Sequence, residues 1–155
     1  MSLSSLSWTL PVPQAASRAA AAARSPVAAA LGRCRPLFRR SVLVVAPAEG
    51  GSWEALRLAR DEGACVTALC PAEQATEARA AGAEVILDPA RTDPTWYRGA
   101  WSVIVDPTGG IGFRRAMASL SPDGVYVTLS PRPSDRARAA VARLSGGPRL
   151  LCLRG

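Results

Sequence analysis

The residues best placed to do chemistry form the stretch Ala46-Pro47-Ala48-Glu49-Gly50-Gly51-Ser52. It follows a short Val-rich apolar run and precedes a helical pattern. A strand, a tight turn and a helix N-terminus leave free backbone N–H groups that hold phosphate, so the chemistry suggested is dinucleotide binding. Glu49 works against it, because a carboxylate beside a diphosphate repels it. The same residues also suit a plain strand-turn-helix corner with no ligand, since a degenerate glycine motif is not specific. Side-chain chemistry is sparse. All 19 basic residues are arginine, and there is no histidine, lysine or asparagine. A histidine base, a histidine metal ligand and a lysine Schiff base are therefore excluded. The 4 cysteines, Cys34, Cys65, Cys70 and Cys152, form no C-x-x-C pair. Their spacing does not suit zinc, and they read as buried free thiols of a reducing compartment.

The elements that must position this corner alternate regularly. Residues 41–46 read as a strand covered on both faces. Ala55, Leu56 and Ala59 recur at helical spacing, with Arg57, Arg60 and Asp61 opposite and Gly63 as the stop. Residues 65–70 form a second strand, and Pro71 opens a helix that runs to Gly82. Residues 84–87 form a third strand, 96–100 a helical turn and 101–106 a fourth strand. A helix over 111–120 ends at the Ser121-Pro122-Asp123-Gly124 turn signal. Residues 125–130 form a fifth strand, a helix capped by Ser134 runs to Leu144, and 149–153 form a sixth strand. Strand-helix alternation predicts parallel pairing in a single doubly wound α/β domain of Rossmann type over residues 41–155. Its ligand crevice lies at the strands' carboxyl ends, at 46–52, Cys70-Pro71, Asp88-Pro89 and 106–110.

Residues 1–40 differ in composition. They hold no acidic residue, and they carry Arg18, Arg24, Arg33, Arg35, Arg39, Arg40 and an alanine run. That is the composition of an organelle transit peptide, which implies a mitochondrial protein and a segment dispensable for folding. Otherwise the chain is cytoplasmic and residues 14–24 are a surface helix broken near Pro26. The net charge is +7. The arginines are scattered with few aromatics among them, which argues against nucleic acid as partner. No window approaches the about 20 apolar residues of a membrane span.

The segments SVLVVAPAEGGSWEALRLARDEGACVTALC, AAGAEVILDP and WSVIVDPTGGIGFRRAMASLSPDGVYVTLS resemble a known family. They are similar to the nucleotide-binding domain of the zinc-independent medium-chain dehydrogenase/reductases, the quinone oxidoreductase branch. VTALC, GAEVILD and YVTLSP bring the likeness closest to the mitochondrial reticulon-interacting oxidoreductase branch. It covers about residues 41–153, and LPVPQAAS echoes the approach helix before the fold. The resemblance implies NADPH as cofactor and cofactor contacts at Ala46, Ala48, Glu49, Gly50, Gly51, Ser52, Cys70, Pro71, Pro107 and Gly109. Ala48 stands where a small residue is usual, Gly50 matches a family glycine, and Gly51 stands where valine is usual. Glu49 and Ser52 replace glycines. At Cys70-Pro71 the family's serine for the 2′-phosphate is missing. Asp106-Pro107-Thr108-Gly109-Gly110 matches the family's D-x-V-G-G loop. The resemblance assigns no catalytic residue. It implies a separate catalytic domain that the sequence lacks, so a protein partner supplies the other half of the cleft. The competing expectation is a pseudoenzyme, a relic or interaction module with weak or lost cofactor binding.

Overall fold

The computed structural model describes residues 25–46 and 51–152. Among them, β1 (Ser41–Val45), β2 (Cys65–Leu69), β3 (Val85–Leu87), β4 (Trp101–Val105), β5 (Leu120–Thr128) and β6 (Arg149–Cys152) form one sheet. Every pairing is parallel, in the order β3-β2-β1-β4-β5-β6. The helices are α1 (Pro26–Gly32), α2 (Ser52–Asp61), α3 (Ala75–Ala81), α4 (Phe113–Ala116) and α5 (Pro133–Leu144).

Alternation along β1 shows why the strand has no polar face. Val42 and Val44 pack with Val27, Leu31, Leu56, Ala59 and Ala78, from α1, α2 and α3. Leu43 packs on the opposite face with Ile104, Phe113, Ala116, Tyr126 and Ala142, so α4 and α5 lie there. A parallel sheet covered on both sides requires such a continuous apolar run. In α2, Glu54 in the first turn and Arg60 in the last complement the macrodipole, worth about 0.3–1 kcal/mol each. Gly63, at φ 77°, turns the chain out of that helix, and a Cβ there would come 2.7 Å from the Phe38 ring.

The buried core reaches N-terminal of residue 41. Ser25 caps α1, its hydroxyl accepting from the Ala28 N–H at 3.4 Å, and Pro26 follows at the first helical position. Val27, Ala28, Ala30 and Leu31 are buried, as are Cys34 and Leu37 beyond the helix. The expected helix over 14–24 and the LPVPQAAS segment lie outside the described residues.

Several elements differ from the sequence reading. Ser121-Pro122-Asp123-Gly124 does not separate a helix from a strand but lies inside β5. Trp101 pairs with Leu120 and Val103 with Val125, so two steps along β4 face five along β5. The extra residues form a bulge, where Pro122 needs no N–H for the ladder. The helix expected over 111–120 shrinks to α4, because Gly112 at φ 79° delays its start and β5 begins at Leu120. The turn expected at 96–100 is instead a 3-10 turn over Pro94–Trp96, capped by Asp93, which accepts from the Thr95 N–H at 2.9 Å. Pro71 does not open a helix. It is extended at ψ 152° and precedes a 3-10 turn over Ala72–Gln74, with α3 beginning at Ala75. Ser134 is not a cap; it lies within α5, where Asp135 accepts from the Arg132 N–H at 3.1 Å.

All four cysteines are free, but only Cys34 and Cys70 are buried, while Cys65 and Cys152 are exposed. Burial pushes the Cys34 thiol up to about 11 and raises that of Cys70. Thiolate is the reactive form. Burial raises the Cys152 thiol as well, so exposure decides: at neutral pH a maleimide is expected to label Cys65, and more slowly Cys152, in the native protein, and Cys34 and Cys70 only after denaturation. Peptide mass spectrometry reads this directly, and equal labelling of all four in the native state would contradict the packing of α1.

Candidate dinucleotide-binding crevice

The sheet order reverses between β1 and β4: the chain winds outward from β1 to β3, then returns beside β1. Val42, Leu43 and Val44 pair with Val103, Ile104 and Val105, so the two strands end at one level. The loops that follow, from Ala46 and from Asp106, leave side by side. Open α/β sheets take their ligands at such a point.

In the first loop, Ala46 is buried and its N–H donates to the Leu69 carbonyl at 2.9 Å. Ala48, Glu49 and Gly50 lie outside the described residues. Gly51 is the N-cap of α2, and a Cβ there would come 2.8 Å from Val27 Cγ2. Its small size is demanded by α1, not by a ligand. Ser52 is buried, and its hydroxyl donates to the Val45 carbonyl at 2.9 Å, tying the helix start to the strand end. Among the described residues no side chain caps α2, and N–H groups at such a helix start can receive an anion.

The second loop is organised by Asp106, which is fully buried. Its Oδ2 accepts from the Tyr126 hydroxyl at 2.6 Å and the Ile111 N–H at 2.8 Å. Its Oδ1 accepts from the Gly110 N–H and the Thr108 hydroxyl, both at 3.2 Å. The Tyr126 hydroxyl in turn accepts from the Gly112 N–H at 3.1 Å. Burial, and then the Asp106 charge, push the Tyr126 phenol far above its ordinary range, so it remains a donor. Gly109 sits at φ 69°, and a Cβ there would lie 2.6 Å from the Ser130 carbonyl oxygen. The Pro107 carbonyl accepts from the Leu129 N–H at 3.2 Å. The loop's N–H groups thus turn inward onto a carboxylate. This loop is a shaped wall of the crevice, not a phosphate cradle.

The end of β2 bounds the crevice on its other side. Cys70 is buried and its N–H donates to the Leu87 carbonyl at 3.0 Å. Its thiol feels Asp88 and Glu73 as well as Arg79. Pro71 has no N–H to offer. Among the described residues, the backbone at the start of α2 suits a diphosphate, and Glu49 of the sequence opposes one. At Cys70-Pro71 they give an additional 2′-phosphate neither a hydroxyl nor a free N–H.

Sequence reasoning read residues 106–110 as a loop at the crevice but missed Tyr126 as the partner of Asp106. The available signal was a lone tyrosine in a buried run, whose hydroxyl needs a partner. Ile104 pairs with Tyr126, which puts Asp106 two residues further along the same face. Among the described residues, no three Cys, Asp or Glu side chains converge as a metal-ligand group. No helix there is long and apolar enough to cross a membrane.

No protein-family model matches the sequence, and no curated protein does. Solved structures do share the architecture. The quinone oxidoreductase from Coxiella burnetii superposes with a TM-score of 0.69 at 21% identity, over 83% of this chain and 40% of its own. A putative alcohol dehydrogenase from Sinorhizobium meliloti 1021 gives 0.67 at 20% identity, over 85% and 41%. Mycobacterial Rv1454c, solved in complex with NADPH, gives 0.60 at 25% identity, over 90% and 46%. The chain therefore has the doubly wound parallel α/β fold of a region that makes up less than half of such quinone oxidoreductase and alcohol dehydrogenase chains.

Proposed function

We propose that this chain is an NAD(P)H-binding domain of quinone-oxidoreductase type within the medium-chain dehydrogenase/reductases, and that it holds NADPH weakly. The observation that carries this is the N-terminus of α2, which no side chain among the described residues caps, at the point where the sheet order reverses. The likeness to a structure solved with NADPH supports it. The bound dinucleotide would supply the hydride chemistry. By the family resemblance the loop Ala46, Ala48, Glu49, Gly50, Gly51 and Ser52 would meet the diphosphate through backbone N–H groups, Cys70 and Pro71 would flank the adenosine ribose, and Pro107 and Gly109 would shape the facing wall, with Gly51 kept small by Val27 of α1. A protein partner supplies the other side of the substrate cleft. VTALC and YVTLSP support the reticulon-interacting branch. The acid-free start supports a mitochondrial address, with any removed segment ending before Ser25, because α1 packs into the core. Residues 1–40 fused to a fluorescent reporter are expected at mitochondria, and a diffuse signal would refute that address.

The second reading is a non-catalytic module that has lost its ligand. It is favoured by Ser52, whose hydroxyl is already engaged, and by the carboxylates near Cys70. Glu49 separates the two. A carboxylate a few ångströms from a diphosphate costs about 1–4 kcal/mol per charge pair at the dielectric of a protein surface. The helix N-terminus returns only about 0.3–1 kcal/mol. Calorimetric titration is expected to show weak or undetectable NADPH binding by the native chain. Glu49→Gly should improve it by about tenfold to thousandfold. Adding Pro71→Ser should favour NADPH over NADH. Micromolar binding by the native chain, unchanged by Glu49→Gly, would overturn the argument from repulsion. No binding by any variant would establish the second reading.

A further inference from the structure

We propose that Arg33, Arg143 and Arg149 form a second ligand site, for a small phosphomonoester with an apolar body, at the end of the sheet opposite the dinucleotide crevice. The three arginines line one cavity of about 160 Å³ together with Val125, Leu150 and Leu151. Three separate elements bring them there. Arg33 is the C-cap of α1, Arg143 is in the last turn of α5, and Arg149 opens β6, paired with Val125. That pairing is the first of the β5–β6 register, so the cavity lies at the strands' amino ends.

The three arginines are exposed, and among the described residues no acidic side chain pairs with them. Arg35 pairs with Glu62, Arg40 with Asp123 at 3.1 Å and Arg115 with Asp93 at 2.5 Å. Arg33, Arg143 and Arg149 make no such pair among the described residues. A cation at a helix C-terminus complements the macrodipole, which explains two of them singly. It does not explain Arg149, nor why all three share one cleft. Three guanidinium groups suit a doubly charged phosphoryl head, because each presents a planar fork of donors that matches phosphate oxygens. The walls between them are apolar: Val125 is buried, and Leu150 and Leu151 are half-buried. An apolar body attached to the phosphate would cover them. The cavity is about 160 Å³ and opens to solvent, so a phosphoryl group with a small body fits within it while a dinucleotide would extend beyond it. No aromatic side chain lines it, so a nucleic-acid strand would find no base to stack on.

The inference does not depend on the dinucleotide reading. Its test is a titration of the full chain with phenyl phosphate, read by calorimetry and by thermal shift. Inorganic phosphate, phenol and a single-stranded oligonucleotide serve as comparators, with and without saturating NADPH. Saturable binding is expected for phenyl phosphate, at least about tenfold tighter than for inorganic phosphate or phenol, and unchanged by NADPH. Arg149→Gln should weaken it about tenfold or more, as loss of a charged hydrogen bond does. Arg57→Gln, a change at an exposed arginine of α2, should leave it intact. If Arg149→Gln does not fold, Arg143→Gln on the exposed side of α5 takes its place. Absence of saturable binding, equal loss in Arg57→Gln, displacement by NADPH, or tighter binding of the oligonucleotide would each overturn the proposal.

Discussion

A chain beginning at Ser41 is expected to show no cooperative thermal transition, whereas one beginning at Ser25 should melt like the full chain. The reason lies in what α1 and the segment that follows it cover. Val27, Leu31 and Leu37 are each no more than 2% exposed, and they pack on the same cluster as Val42, Val44, Leu56 and Val66. Burying one such side chain is worth about 1.5–3 kcal/mol, so the three together are worth about 5–9 kcal/mol, an upper estimate. That matches much of the about 5–15 kcal/mol by which a domain is stable at all. The truncation also removes backbone bonds: the Arg39 N–H donates to the Gly63 carbonyl, and the Cys65 N–H to the Arg40 carbonyl. Circular dichroism melts of the two truncations decide the matter. An unchanged transition in the shorter one would mean that α1 is an ornament on the core. The acid-free composition of residues 1–40 had suggested a dispensable segment. Composition does not reveal that its last third carries buried Val, Leu and Ala at helical spacing.

The second large effect is expected at Asp106. Asp106→Ala should destabilise the domain by about 3–5 kcal/mol, measured by urea unfolding. It would leave the Tyr126 hydroxyl and the Ile111 and Gly110 N–H groups without their acceptor, and a buried unsatisfied group costs about 1–3 kcal/mol. Tyr126→Phe should cost less, about 1–3 kcal/mol, since it removes one donor to Asp106 and one acceptor from Gly112. Because the two residues share one network, the double variant should be milder than the separate losses predict, with a coupling of about 0.5–3 kcal/mol. A cost below 1 kcal/mol for Asp106→Ala would show that water replaces the carboxylate and that the loop holds itself.

The sheet was legible because its central strands have no polar face. Runs such as Val42-Leu43-Val44 and Val103-Ile104-Val105, each followed by a glycine-bearing turn, leave parallel pairing as the economical solution. The strand end near Val45 and the start of α2 near Ser52 were legible for the same reason. What escaped were features that depend on register. The Asp106–Tyr126 bond joins residues 20 apart in sequence, on neighbouring strands. Gly51 looks like a ligand-facing glycine until α1 is seen against it. The Ser121-Pro122-Asp123-Gly124 signal was sound locally and misleading globally, because a bulge uses the same residues as a turn.

That bulge has a consequence for how the domain tolerates change. Leu120 is held against Trp101 and Val125 against Val103, so both flanks are pinned whatever lies between them. Chain length at this point is uncoupled from the crevice at the far end of the sheet. Pro122 and Asp123 are exposed, so a peptide grafted between them would be displayed to solvent while β5 keeps its pairing on either side. Gly124 is the residue such a graft must leave alone, because a Cβ there would come 2.8 Å from the Ser121 carbonyl oxygen.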